Sequence, residues 1–207
     1  MPTRRLITIA GATLCTAPFA WAQQASVGDD ALAKAAPFIR SAGNRLTALV
    51  QDASSAAEKH RRLRSFLDEV ADVDGVARFC LGRFWEAATP AQQRDYLRLF
   101  HDVLTDSVAA RVGDYPQGQS QVIIGEAVRK GDTIEVPTVV TRPTHDTQAR
   151  VTWVLGTNTG ALRIIDVVAE GVSLRLTQRS DYVAFLTRNN NDIGSLLRAL
   201  RQQIAAN

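Results

Sequence analysis

Cysteine is nearly missing from this chain: two residues in 207, Cys15 and Cys80. Cys15 lies in a segment that reads as removable, which leaves Cys80 alone and excludes an intrachain disulfide or a paired-cysteine redox or metal motif. Histidine is as scarce. His60, His101 and His145 sit in separate elements, without the spacing of metal ligands. There is no P-loop and no dinucleotide fingerprint, and Gly171-Val172-Ser173 lacks the closing glycine of a nucleophile elbow. Charge of one sign is also lacking, with 24 Lys and Arg against 21 Asp and Glu. Arg4 and Arg5 belong to the removable segment, so the rest is close to neutral and lacks the basic surface of a general nucleic-acid binder. Beyond the N-terminus no apolar run is long enough to span a bilayer. What remains is apolar side chains, 45% of the residues.

The N-terminus reads as an export signal. Arg4-Arg5 is followed by the mostly apolar Leu6 to Trp21, and Ala20-Trp21-Ala22 is a small-x-small cleavage site before Gln23. The expected organisation is a signal peptide over residues 1–22 and one domain over residues 23–207. Arg4-Arg5 leaves a twin-arginine route open beside the general one, although Thr8 lacks the apolar character expected there. Thr13-Leu14 before Cys15 is the wrong context for lipidation. The roughly 185 remaining residues suit a single domain with a substantial core.

Helices lead. Leu32, Ala35, Ile39, Ala42, Leu46 and Leu49 recur at three- and four-residue steps, with Pro37 either splitting off a first turn or starting the main helix. Ser55-Ala56-Ala57-Glu58 reads as a capping box before the stripe Leu63, Phe66, Leu67 and Val70. Thr89-Pro90-Ala91-Gln92 opens a further helix, expected to end near Gly113. Strands follow over Gln121 to Arg129, Thr133 to Arg142, Gln148 to Gly156 and Ala161 to Ala169, joined by turns at Lys130-Gly131-Asp132 and Asn158-Thr159-Gly160. Such short connections predict antiparallel hairpins, and Pro137 predicts an edge or a bulge. Two helices carrying Tyr182, Phe185, Leu186 and Ile193, Leu196, Leu197, Leu200, Ile204 close the chain. The fold class is α+β.

Ala161 to Leu174 is the most telling stretch: a strand apolar on both faces that runs through Glu170-Gly171 into a second apolar run. Apolar walls of this kind enclose either a solid core or something greasy. An enzyme reading rests on Asp166 and His101 as acid–base groups in an apolar pocket. The plainer expectation is that Asp166 anchors a loop and His101 faces solvent. Cys80 between Phe79 and Leu81 reads as a small buried hydrophobe. The basic run Lys59-His60-Arg61-Arg62 reads as a solvated helix face, available with Arg64 for docking or solubility.

Three segments, Asp74 to Trp85, Ala88 to Gln93 and Ile165 to Leu174, resemble in order and spacing the MlaC or toluene-tolerance family. The leader and the helix around Arg179 to Tyr182 fit the same pattern, and the resemblance runs from about Pro37 to the C-terminus. Leu162 stands where the family usually has an aromatic residue and Val108 where it has a tyrosine, with Trp153 on a neighbouring strand a candidate replacement for the first. The resemblance implies a curved antiparallel sheet of about four strands wrapped by N- and C-terminal helices, NTF2-like and MlaC-type. It also implies a soluble periplasmic carrier that shuttles phospholipid between an outer-membrane lipoprotein complex and an inner-membrane ABC transporter with its MCE-type component. No catalysis, metal or cofactor is implied; the ligand is the phospholipid. A hopanoid or other lipid, or an enzyme of the same fold, are the alternatives.

A diacyl lipid exposes roughly 30 methylenes, at about 0.8 kcal/mol each, so a carrier offsets on the order of 20 kcal/mol of exposure. Two tails call for a hollow of about 800 to 1,000 Å³. The expected wall is Phe84, Trp85, Phe100, Leu104, Val108, Val136, Val140, Trp153, Leu155, Ile164, Val167, Val172 and Leu174, with the headgroup at the mouth near Arg83, Arg142 or Arg150.

Overall fold

The computed structural model describes residues 23–113, 121–142, 145–157 and 160–206. The leader read over residues 1–22 and the turn positions Asn158-Thr159 lie outside the described residues, as does the side chain of Arg142. The helices are α1 (Gln23–Gln51), α2 (Ala56–Val70), α3 (Val73–Leu81), α4 (Phe84–Ala87), α5 (Pro90–Gly113), α6 (Leu174–Arg188) and α7 (Ile193–Ala205). Between α5 and α6 come β1 (Gln121–Ile124), β2 (Val128–Lys130), β3 (Thr133–Arg142), β4 (His145–Gly156), β5 (Arg163–Ala169) and β6 (Val172–Ser173). Among the described residues no helix is long and apolar enough to cross a membrane.

Capping chemistry sets the helix starts. Thr89 Oγ1 accepts from Gln92 N at 3.2 Å while Gln92 Oε1 accepts from Thr89 N at 2.9 Å, the reciprocal box expected from sequence. Ser55 Oγ accepts from Glu58 N at the start of α2. Asp72 caps α3 through Gly75 N at 2.9 Å. A Cβ on Gly75 would sit 2.2 Å from Asp72 Oδ2, so this cap requires glycine. Pro37 neither splits nor starts α1: the helix passes through it. Its missing N–H leaves the Ala33 carbonyl without a partner in the helix, which is tolerated because both residues are exposed and water can serve.

The sheet runs β1-β3-β4-β5-β6, with β2 also on β3, and its pairings are antiparallel. It has six strands where about four were expected, for two local reasons. The first expected strand breaks at Gly125-Glu126-Ala127, opposite Val136 and Pro137, where β1 and β2 leave the β3 ladder. Pro137 has no N–H to give, and Gly125 N donates to its carbonyl at 2.8 Å, so the proline distorts its neighbour while keeping an interior strand itself. Second, Glu170 (φ 48°) and Gly171 (φ 82°) form a two-residue turn that folds Val172–Ser173 back on β5. The expected uninterrupted apolar run is thus a tight hairpin leading into α6.

The apolar interior has two main parts. α3 to α7 enclose Cys80, Leu81, Phe84, Tyr96, Leu99, Phe100, Tyr182, Leu186 and Leu197, all buried. Tyr96 is fully buried, stands edge-on to Tyr182 and donates its hydroxyl to Ala77 O at 2.8 Å. The second part is the sheet face against α1, where Ala35 and Ile39 meet Ile134, Val136 and Leu155. α2 links the two. It packs on α1 through Leu63, Phe66 and Val70, with Val108 of α5 against the same group. It is also laced to α5: His60 Nε2 lies 2.9 Å from Asp106 Oδ1, Arg64 pairs with Asp102, and Asp68 Oδ1 lies 2.8 Å from His101 Nδ1. Asp72 N donates to Ile164 O at 3.0 Å beside the Ala71–Ile164 bridge, which ties this helical layer to β5.

Candidate functional site

In an antiparallel ladder, directly opposed residues share a face. The registers therefore lay out four rows across one side of the sheet: Ile134–Leu155–Ile164; Val136–Trp153–Val167; Ile124–Thr138–Val151–Ala169–Val172; and Val122–Val140–Ala149. Every position but Thr138 is apolar. α1 covers the first row and most of the second. Beyond them Val140, Ala149, Val151 and Ala169 are half-buried, and Val122 and Val172 are 57% and 54% exposed. Trp153 stands at the boundary. Its Nε1 donates to Thr138 Oγ1 at 3.2 Å, and that hydroxyl donates to Val151 O at 2.9 Å, so the one polar side chain of the face is spent inside the sheet. Among the described residues, the result is an apolar surface open at one end and free of competing hydrogen-bond demand.

The five-strand row is about 19 Å wide at roughly 4.8 Å per strand spacing. One leaflet of bilayer hydrocarbon is about 15 Å deep. The row therefore matches the reach of a fatty tail.

The expected wall residues divide. Val136, Val140, Trp153, Leu155, Ile164, Val167 and Val172 fall on this face. Phe84, Trp85, Phe100 and Leu104 pack instead in the helical cluster around Tyr96. Val108 joins the group between α1 and α2. Leu174, at the first turn of α6, is 41% exposed. Trp153 and Leu162 both pack against the cluster between the sheet and α1, with Trp153 opposite Val167 in the register. Of the expected headgroup cations, Arg83 is exposed with its guanidinium 5.0 Å from the Phe84 ring centre. Arg150 projects from the opposite side of β4, its side chain 81% exposed and 4.0 Å from Glu170. The structure does not gather them at one point.

Three depressions formed by the described residues measure about 330 Å³ beside Arg45 and Phe66, 380 Å³ between α6 and α7, and 320 Å³ beside Asp74 and His101, each smaller than the expected hollow of about 800 to 1,000 Å³. None of the three is lined by the expected wall, because α1 rests directly on half of it.

Asp166 and His101 hold structural posts. Asp166 Oδ1 accepts from Val167 N at 2.8 Å and Arg175 N at 3.1 Å, and its Oδ2 accepts from Ser173 Oγ at 2.5 Å. It thus fixes the passage from β6 into α6, as the plainer expectation held. His101 does not face solvent: it sits between Asp68 and Asp74, each 2.8 Å from one ring nitrogen, and joins α5 to α2 and α3. Cys80 is buried, as read from its neighbours. Desolvation pushes its thiol up to about 12, against the opposing effect of Arg175, to whose carbonyl Sγ donates at 3.6 Å. Burial likewise drives the Tyr96 and Tyr182 hydroxyls well above their ordinary range. Among the described residues no group of three or more His, Cys, Asp or Glu is placed to hold a metal ion.

Sequence reading missed α1 as the cover of the face and Ala149, Val151 and Ala169 as part of it. The signal was present in the alternation Ala149-Arg150-Val151-Thr152-Trp153.

Comparison with known proteins agrees with this architecture. The MlaC protein family model matches residues 40–202. A solved phospholipid-binding protein from Ralstonia solanacearum, in complex with a phospholipid, superposes with a TM-score of 0.70 at 17% sequence identity, over 83% of this chain and 97% of that chain. At that identity the likeness is one of fold.

Proposed function

The chain belongs to the MlaC family, and on that premise we propose that it is a periplasmic carrier of phospholipid. Its acyl chains lie along the open rows of the sheet, from Val172 and Ala169 across Val151 to Val140 and Val122, and end against Trp153. The observation that carries this reading is the apolar sheet face that α1 covers at one end and leaves uncovered at the other. The lipid held by the structurally similar protein supports it.

Holding tails in this way needs no fixed polar contact with them. Transfer is then cheap, since a bilayer shields the same methylenes equally well. The headgroup stays at the rim, where its charge keeps its water. The second tail requires α1 to yield some of its hold on Trp153 and Ile164, which are only partly buried beneath it. Under this reading residues 1–22 form a leader removed on export and residues 23–207 form one lipid-binding domain. Lipid passes between an outer-membrane lipoprotein complex and the MCE-type component of an inner-membrane ABC transporter.

Native mass spectrometry of protein purified from the periplasm tests this. The expected result is a population heavier by one diacyl phospholipid, lost on delipidation and regained from liposomes. Lipid-free protein that takes up nothing from liposomes would overturn the proposal, and extraction of a hopanoid in place of a phospholipid would reassign the ligand.

A further inference from the structure

Among the described residues the exposed large apolar side chains are Val122, Ile123 and Val128 on β1 and β2 and three more in one short stretch at the opposite edge of the sheet. Val172, Leu174 and Leu176 are 54%, 41% and 56% exposed within five consecutive residues that turn from β6 into α6. Burying three aliphatic groups would be favourable, yet the fold leaves them outside. They are not a by-product of a loose terminus. Ser173 between them caps α6 through Leu176 N at 3.1 Å and is held in turn by Asp166, so the exposed groups sit on a rigid base.

Cations border the stretch. The guanidinium groups of Arg175 and Arg179 both lie over the Phe79 ring, 4.4 and 4.8 Å from its centre. Arg179 reaches back toward Gly82, where an added Cβ would meet it at 3.2 Å, and Arg83 follows directly. Among the acids nearby, Asp166 is engaged with Ser173, backbone amides and Arg175, and Glu170 with Arg150 N at 2.6 Å, while Asp181 and Glu86 are exposed. Exposed aliphatic groups beside stacked guanidiniums are the pattern of a segment that enters the interface of an anionic bilayer.

We infer that this β6–α6 corner docks directly on an anionic lipid surface, inserting Val172, Leu174 and Leu176 among the headgroups while Arg179 and Arg83 meet their phosphates. The inference rests on the carrier reading and adds the place where a tail enters. Val172 belongs both to the corner and to the row Val172–Ala169–Val151 of the open face. A tail leaving the bilayer there passes onto the sheet without crossing a polar ring. A lipid surface also fits better than a protein partner. Three aliphatic side chains are a small fraction of the roughly 800 Å² per partner of a stable protein interface, whereas a bilayer needs no shape match.

Flotation of the full protein with phosphatidylglycerol vesicles, and in parallel with phosphatidylcholine vesicles, tests the inference. Binding is expected to the first, to weaken as salt is raised from about 50 to 500 mM, and to be much lower to the second. Leu176→Glu should weaken binding at least about tenfold while the denaturant midpoint of the purified protein stays at the wild-type value, since the side chain is exposed. Val128→Glu, an equally exposed valine on the other edge of the sheet, should leave vesicle binding unchanged. No wild-type binding to either vesicle, equal binding by Leu176→Glu, equal loss in Val128→Glu, or binding only when a partner protein is present would each overturn direct docking. In those cases a normal lipid load leaves the carrier reading standing, while an empty wild-type protein with no lipid uptake removes both.

Discussion

The helical half and the sheet half of this molecule bury similar residues in different ways. Around Tyr96 the side chains of α3 to α7 close on one another from all sides, with Cys80, Leu81 and Leu186 fully enclosed. On the sheet, only the rows under α1 reach that state, and the next rows stay half-covered. The closed half serves as the frame, and its 380 Å³ depression between α6 and α7 lies away from the sheet face. The half-covered face keeps apolar surface in reserve, which costs stability and, under the carrier reading, is recovered when a lipid covers it.

Truncation in the closed half should produce the largest effect. Leu81→Ala leaves a cavity in a region that cannot collapse and is expected to destabilise by about 2–5 kcal/mol, read from the denaturant midpoint. Tyr96→Phe removes the hydroxyl's bond to the Ala77 carbonyl, which keeps its helical donor, and should cost about 0.5–1.5 kcal/mol in the same measurement. The same half should also weaken in alkali. The Cys80 thiol is raised to about 12 by burial, and the Tyr96 and Tyr182 hydroxyls are raised too, so the native state holds these protons more tightly than the unfolded chain. Their contribution is complete below the ordinary thiol value of about 8.5 and declines as pH rises toward 12. Melting temperature should fall across that window, and native Cys80 should resist a thiol reagent at pH 8 until denaturant is added. The smallest stability change belongs to the open face. Val167→Ala should cost no more than about 1.5 kcal/mol, yet it should visibly lower lipid uptake from liposomes. Equal stability losses at Leu81 and Val167 would erase the distinction between the halves.

Local signals were legible in the sequence. Thr89 to Gln92 announced both halves of its capping box, the stripe from Leu32 to Leu49 its helix, and the Val- and Ile-rich runs their strands, because each depends on residues close in the chain. What failed depends on distant partners. His101 looked solvent-facing because Asp68 and Asp74, which hold it, lie on two other helices. Phe84, Trp85, Phe100 and Leu104 were expected in the wall, and the structure packs them in the cluster shared by α3 to α7. For the candidate site, periodicity indicated which strand residues share a face, but only the pairing registers showed where α1 ends its cover.

The pairs between α2 and α5 carry a mechanical consequence. His60–Asp106, Arg64–Asp102 and Asp68–His101 step along two antiparallel helices, with the acid on α5 in the first two rungs and on α2 in the third. Sliding α2 by one turn breaks all three pairs, and in one direction it sets Asp68 against Asp102. These helices therefore resist shear, and under the carrier reading room for a bulky guest comes from α1 swinging off the sheet.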